Sequence, residues 1–212
     1  MKSVYSLVLM DEVVEQVDRL AYRMHTNRSN MINQILAEYC SMLTPEKRMR
    51  STLEQVMELL GAGGFQPLAQ TGPSMLTVRS ALNFKYNPSV RYRVELFRTE
   101  QPEFGQLQVQ LRTQNRELIY YLEQFERLWA GLEQQYLNAP RHSVENGRFL
   151  RNLRYHPAFE NQPQRMGEAI GRYVNAFDEA LKLYFAQSDS PRTAYSLAER
   201  VMKNYASQTP IV

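Results

Sequence analysis

The chain has 212 residues, 43% hydrophobic and 22% charged, with a net charge of +3, which fits an ordinary globular protein holding one large domain or a small one plus a larger one. No run approaches the roughly 20 apolar residues needed to cross a bilayer, and the opening MKSVYSLVLM lacks the apolar core and cleavage site of a secretory leader, so a cytoplasmic chain without a membrane partner is expected. The single cysteine, Cys40, excludes an intramolecular disulfide and, among apolar helical neighbours, reads as a buried structural thiol.

Residues 4–9 have the alternation of a strand, with Tyr5, Leu7 and Leu9 on one face and Val4, Ser6 and Val8 on the other. Asp11 suits the N-cap of a helix over about 12–25, whose apolar stripe is Val13, Val14, Val17, Leu20, Ala21 and Met24. His25-Thr26-Asn27 forms the turn. Asn27 caps a second helix over about 28–43, with Met31, Ile32, Ile35, Leu36, Tyr39 and Leu43 inward. Thr44-Pro45 marks a boundary, because Pro45 fits the first position of a third helix that runs to about Leu60 and stops at Gly61-Ala62-Gly63-Gly64.

Strand patterns follow near 75–86, 89–99 and 105–113, separated by Asn87-Pro88 and Gln101-Pro102-Glu103. Short connections favour an antiparallel meander. Its apolar face starts from Leu76, Val78, Val90, Tyr92, Leu107 and Val109, and its polar face carries Arg79, Lys85, Arg91, Arg93, Glu95, Gln106, Gln108, Gln110 and Arg112. Helices are expected over about 115–138, 143–154, 163–187 and 191–206. The third of these turns Met166, Ile170, Tyr173, Val174, Phe177 and Leu181 inward. The fold class is therefore α+β, a three-stranded antiparallel sheet packed against several helices behind a small N-terminal unit. The expected division is 1–44, a connecting helix and loop over 45–74, and a domain over 75–212.

A lone N-terminal strand followed by two amphipathic helices cannot complete its own ladder, and pairing with the same strand of a second chain supplies the remedy. Residues 3–43, SVYSLVLMDEVVEQVDRLAYRMHTNRSNMINQILAEYCSML, resemble a ribbon-helix-helix module of the Arc, MetJ and CopG class in strand, first helix, turn and the Arg-Ser-Asn-Met-Ile opening of the second helix. The resemblance covers about a fifth of the chain. It implies a homodimer, or a higher oligomer, whose paired strands enter the major groove of double-stranded DNA. Lys2, Val4, Ser6 and Val8 would then face the bases, while Asn27, Arg28, Ser29 and Asn30 at the second helix's N-terminus meet phosphates. Departures from that class are apolar Val4 and Val8 at groove-facing positions, and His25 where glycine is common. Four basic and five acidic residues give residues 1–44 a net charge of −1, which weakens general attraction to DNA.

Arg148, Arg151 and Arg154, beside Arg141, His142 and His156, recur every three residues. They form either a second phosphate-binding stripe or a solvated helix face with Phe149, Leu150 and Leu153 inward. The basic sheet face is likewise a docking surface for nucleic acid or an acidic partner, or an ordinary polar exterior. No phosphate loop, nucleophile elbow or metal-ligand spacing occurs, and Asp178-Glu179, adjacent on a helix, point in different directions. Neither cofactor, metal nor catalytic residue is expected. The function expected is a dimeric transcriptional regulator, such as a repressor. The alternatives are an accessory DNA-organising protein of a mobile element (plasmid partition or DNA transfer) and an interaction protein using its N-terminus only to dimerise.

Overall fold

A computed structural model describes residues 5–40, 42–68, 72–84, 87–99, 102–111, 113–137, 142–145 and 148–212. The chain divides into two units, Met1–Thr44 and Pro45–Val212. The class is α+β.

The first unit is a helical hairpin. Helix α1 spans Asp11–Arg23 and α2 spans Arg28–Tyr39. Asp11 is the first residue of α1 rather than its cap, a position that Met10 fills without a side-chain hydrogen bond. An acidic residue still gains there from the helix's positive end. The turn between the helices needs a residue in the left-handed region, and His25 takes it at φ 50. The buried core is only Val17, Ala21 and Met31, with Leu20 and Ile32 packed against it. Much of the apolar stripe expected to face inward is open: Val13, Met24, Ile35, Leu36 and Tyr39 are exposed, the last at 90%. Helix α2 also stops short of the expected 43, at Tyr39. Cys40, expected to be buried, is exposed just beyond it.

The second unit opens with helix α3, Pro45–Ala62, followed by strands β1 (Gln66–Pro67), β2 (Met75–Ala81), β3 (Ser89–Leu96) and β4 (Glu103–Leu111). Helix α4 (Arg116–Tyr136), strands β5 (His142–Glu145) and β6 (Arg148–Arg154), a short 3-10 turn and helices α5 (Pro163–Ala186) and α6 (Pro191–Ala206) complete it. The sheet has six strands in the order β1-β2-β3-β4-β6-β5, not the expected three. Every pairing is antiparallel. The segment expected as a helix over 143–154 supplies β5 and β6, extending the sheet past β4. Helix α3, expected as a connector, is a core element: Met49, Leu53, Val56 and Leu60 are buried.

Burial alternates along β2, β3, β4 and β6, so one sheet face is covered and the other is open. Helix α5 forms the centre of the covered side. Phe177 meets Phe125 and Trp129 on α4, Phe149 on β6 and Tyr92 on β3, with ring centroids 5.1 to 6.1 Å apart. Asp178, the next residue, accepts hydrogen bonds from Tyr92 (2.8 Å) and Ser80 (3.0 Å) and pairs with Lys182 (2.6 Å). These bonds pin α5 to neighbouring strands, while Glu179 is exposed. Against α3, the helix approaches through Gly167, where a Cβ would lie 2.6 Å from both the Thr52 carbonyl oxygen and Gln55 Cβ.

Glu126 on α4 is fully buried, and neither carboxylate oxygen has a hydrogen-bond partner among the described residues. Burial, reinforced by nearby Glu123, pushes its pKa up to about 8 from 4.5. Between those values the folded chain keeps a proton that the unfolded chain has lost, so stability falls as pH rises through the window and stays low above it. A fully linked group gives a slope of about 1.4 kcal/mol per pH unit. Glu126→Gln keeps the shape but cannot titrate. Urea midpoints measured across the window should therefore fall less steeply for the variant than for the parent; equal slopes would refute the assignment.

Candidate nucleic-acid interface

In the first unit, α2 presents its N-terminus beside the turn. The Asn27 side chain accepts a hydrogen bond from the Asn30 backbone N–H at 2.9 Å, the capping expected of it. Its occupied oxygen leaves the backbone N–H groups of Arg28 and Ser29 as the donors at the helix's positive end. Ser29 is exposed, and its carbonyl accepts from Asn33 Nδ2 at 3.0 Å. Asn30 is half-buried.

Arg28 has a partner that sequence reading did not assign. Its Nε donates to Asp18 Oδ1 at 2.7 Å and its Nη2 to Asp18 Oδ2, a two-pronged grip from α2 to α1. Both side chains are about half exposed. The hydrogen bond to Arg28 holds the Asp18 carboxyl below its usual range, and the same bond raises the Arg28 guanidinium. This geometry holds the hairpin closed and partly neutralises the cation that the resemblance assigns to a phosphate. Ten residues of separation across a turn hid the pairing from local spacing.

Ser6 and Val8 are exposed, in a segment over 5–10 that forms no strand within the chain. The expected ribbon is thus not formed by one chain, and a single segment with no ladder partner among the described residues has no reason to form it. Lys2 and Val4 lie outside the described residues. Tyr5, Leu7 and Val8 stand in solvent with Met10, Tyr22 and Tyr39, so the exposed large apolar side chains of the protein concentrate in residues 5–42.

The proposed arginine stripe on a helix is overturned. Arg148, Arg151 and Arg154 lie on strand β6, where successive side chains alternate, so Arg151 faces the core between Phe149 and Leu153. Arg148 and Arg154 face the open side. Arg151 is 1% exposed and its Nε donates to Glu133 Oε1, itself 0% exposed, at 2.6 Å. Its Nη2 donates to the Val212 carbonyl, and its guanidinium carbon lies 4.1 Å from the centre of the Tyr173 ring. Burial opposes the charge, yet the facing Glu133 carboxylate leaves the Arg151 pKa raised. Of the neighbours expected to join the stripe, His142 stacks on Phe149, His156 caps the 3-10 turn through Nδ1, and Arg141 lies outside the described residues.

The open sheet face collects the second set of cations. Arg79 on β2 is the direct register partner of Arg91 on β3, which pairs in turn with Gln110 on β4; Gln110 pairs with Arg148 on β6. The next row is Thr77, Arg93 and Gln108. A shallow depression of about 410 Å³ lies among Met75, Thr77, Arg91, Arg93, Gln108 and Gln110. Lys85 and Arg112, expected on this face, lie outside the described residues.

Among the described residues no helix is long and apolar enough to cross a membrane. No family model, no curated protein and no solved structure matches the chain.

Arg151 and Arg148 make opposite predictions despite standing three residues apart. Removing one partner of a buried pair strands the other charge, so Arg151→Ala should cost about 3–5 kcal/mol in urea unfolding. Arg148→Ala, on the exposed face, should stay within about 0.5 kcal/mol of the parent. Similar small losses in both would refute the buried pair.

Proposed function

We propose that this protein is a DNA-binding regulator that acts as a homodimer, with residues 1–44 of two copies forming a ribbon-helix-helix unit. The observation that carries the reading is the exposed apolar surface of residues 5–42 around a core as small as Val17, Ala21 and Met31. Units of about 40 residues rarely bury enough surface to stand alone and gain stability by associating. Leu7, Leu36 and Tyr39 are apolar groups that a second copy would cover. Antiparallel pairing of the 4–9 segments would at once satisfy their backbone groups and bury Tyr5, Leu7 and Leu9.

In that dimer Ser6 and Val8 face the groove, where Ser6 offers a hydroxyl to a base edge and Val8 an apolar contact to a thymine methyl. The N–H groups of Arg28 and Ser29 receive a phosphate. Arg28 then contributes fully only by sharing or leaving Asp18. This competition supports a second reading, in which the unit serves dimerisation alone. Repression and the organisation of DNA in a mobile element share this same chemistry, so both remain roles of the proposed site.

Gel-shift titration with fragments from the gene's own upstream region tests the reading. Asp18→Asn frees the Arg28 fork and should tighten binding at low salt, whereas Arg28→Ala weakens it. Leu7→Glu puts charge into the ribbon's buried face and should give a monomer by light scattering that binds the upstream fragment no better than a random-sequence duplex. A dimer that survives Leu7→Glu, or an absence of any shift at low salt, would overturn the proposal. Dimerisation with DNA affinity indifferent to Asp18 and Arg28 favours the second reading.

A further inference from the structure

We propose that the open face of the six-stranded sheet binds the sugar–phosphate backbone of double-stranded nucleic acid through Arg79, Arg91 and Arg93. The surface belongs to the second unit and does not depend on the ribbon. Three observations carry it.

The first is an arrangement the sheet would not adopt for its own stability. Arg79 and Arg91 are direct cross-strand partners, and Arg93 follows on the same face of β3. Side chains opposed in this way start about 5 Å apart, and like charges so placed repel. An anion bridging the guanidinium groups turns that repulsion into attraction. Contacts made by Nε already fix two of them: Arg79 donates to Gln66 Oε1 at 3.0 Å and Arg93 to Met75 Sδ at 3.1 Å.

The second is the chemistry of the face. Its cations at described positions are all arginine, whose planar forks match phosphate oxygens better than the point charge of lysine. Gln108 and Gln110 line the depression between them, adding neutral donors of the kind that contact phosphate and sugar. Three carboxylate positions share the face: Glu95 follows Arg93 along β3, Glu103 is the register partner of Arg154 and accepts from Asn152 at 2.7 Å, and Glu145 on β5 is the register partner of Arg148. Glu145 ends the row at Arg148, and the stretch from Arg79 through Arg91 to Gln110 contains none of the three.

The third is what selects a duplex. A protein partner generally needs an apolar centre anchored by aromatic side chains, and single strands bind by stacking bases on aromatic rings. At the described positions of this face's strands and depression Met75, Leu68 and Leu150 are the large apolar groups, and the strands' aromatic side chains, Tyr92, Phe104 and Phe149, are buried on the covered side; Phe97, exposed just past the end of β3, lies beyond the arginine rows. A flat, arginine- and amide-bearing surface with no ring at the described positions of its arginine rows suits a backbone read without sequence.

The test uses the full chain and a random-sequence duplex, titrated by fluorescence anisotropy across a salt series. Each phosphate contact contributes about 0.9 to the slope of log affinity against log salt. Arg79→Gln combined with Arg91→Gln and Arg93→Gln should therefore flatten the slope by about two to three and weaken low-salt binding more than tenfold. Thermal melting should match the parent, since all three side chains lie on the open face. Arg91→Lys alone keeps the charge and should retain the slope with reduced affinity. An unchanged slope in the triple variant would overturn the proposal. So would equal competition by polyglutamate and by duplex, which would make the surface a site for acidic protein. Leu7→Glu, which breaks the ribbon, should leave the slope contribution of these arginines intact, separating failure here from failure of the dimer.

Discussion

The ring of Phe177 is enclosed by Phe125 and Trp129 on α4, Phe149 on β6 and Tyr92 on β3. Asp178 beside it ties the same helix to β2 and β3 through Ser80 and Tyr92. With α5 fixed, the covered face of the sheet is decided. All four helices of the second unit contribute to one apolar core, and the remaining face is left to water. A sheet covered on one side must be polar on the other, and here that polar side is not neutral. The covering helix therefore also decides that Arg79, Arg91 and Arg93 share an open surface.

The first unit meets the same requirement differently. Two helices joined at His25 enclose only a few apolar side chains and leave Leu36, Tyr39 and the 5–10 segment exposed. Nothing among the described residues of 1–44 covers that surface. A second copy is the simplest cover, because the groups left over are those that a ribbon and a helix pair would bury. The Asp18–Arg28 pair gives the hairpin a fixed angle before any partner arrives. It also ties the cation expected at a phosphate to the hairpin's own closure, so DNA affinity and hairpin geometry are expected to change together.

Regular alternation and helical stripes made much of the second unit legible. Strands β2, β3 and β4, and helices α4, α5 and α6, follow patterns of period two or 3.6 that survive in single sequence. The region 148–154 did not, and for a definite reason. In Arg148-Phe-Leu-Arg-Asn-Leu-Arg154 the arginines recur every three residues, and Phe149, Leu150 and Leu153 trace a helical stripe. Read as a strand, the inward positions are Phe149, Arg151 and Leu153, and a charge at an inward position breaks the alternation. Glu133, eighteen residues earlier on another element, supplies the counter-charge, with the Val212 carbonyl and the Tyr173 ring beside it. Glu126 and Glu133 were similarly hidden, since carboxylates on a helix are expected in solvent.

Local spacing in the sequence determined which segments are amphipathic, where proline and glycine interrupt them, that Asn27 caps a helix, and that arginines and glutamines alternate with the apolar positions of the meander. These follow from interactions a few residues apart, which the chain states directly. Only tertiary structure decided that Arg151 is inside and Arg148 outside, that α3 belongs to the core, and that Arg28 holds Asp18. Each of those depends on which distant group supplies a counter-charge or a covering surface, and burial is a property of the whole fold rather than of any one stretch of it.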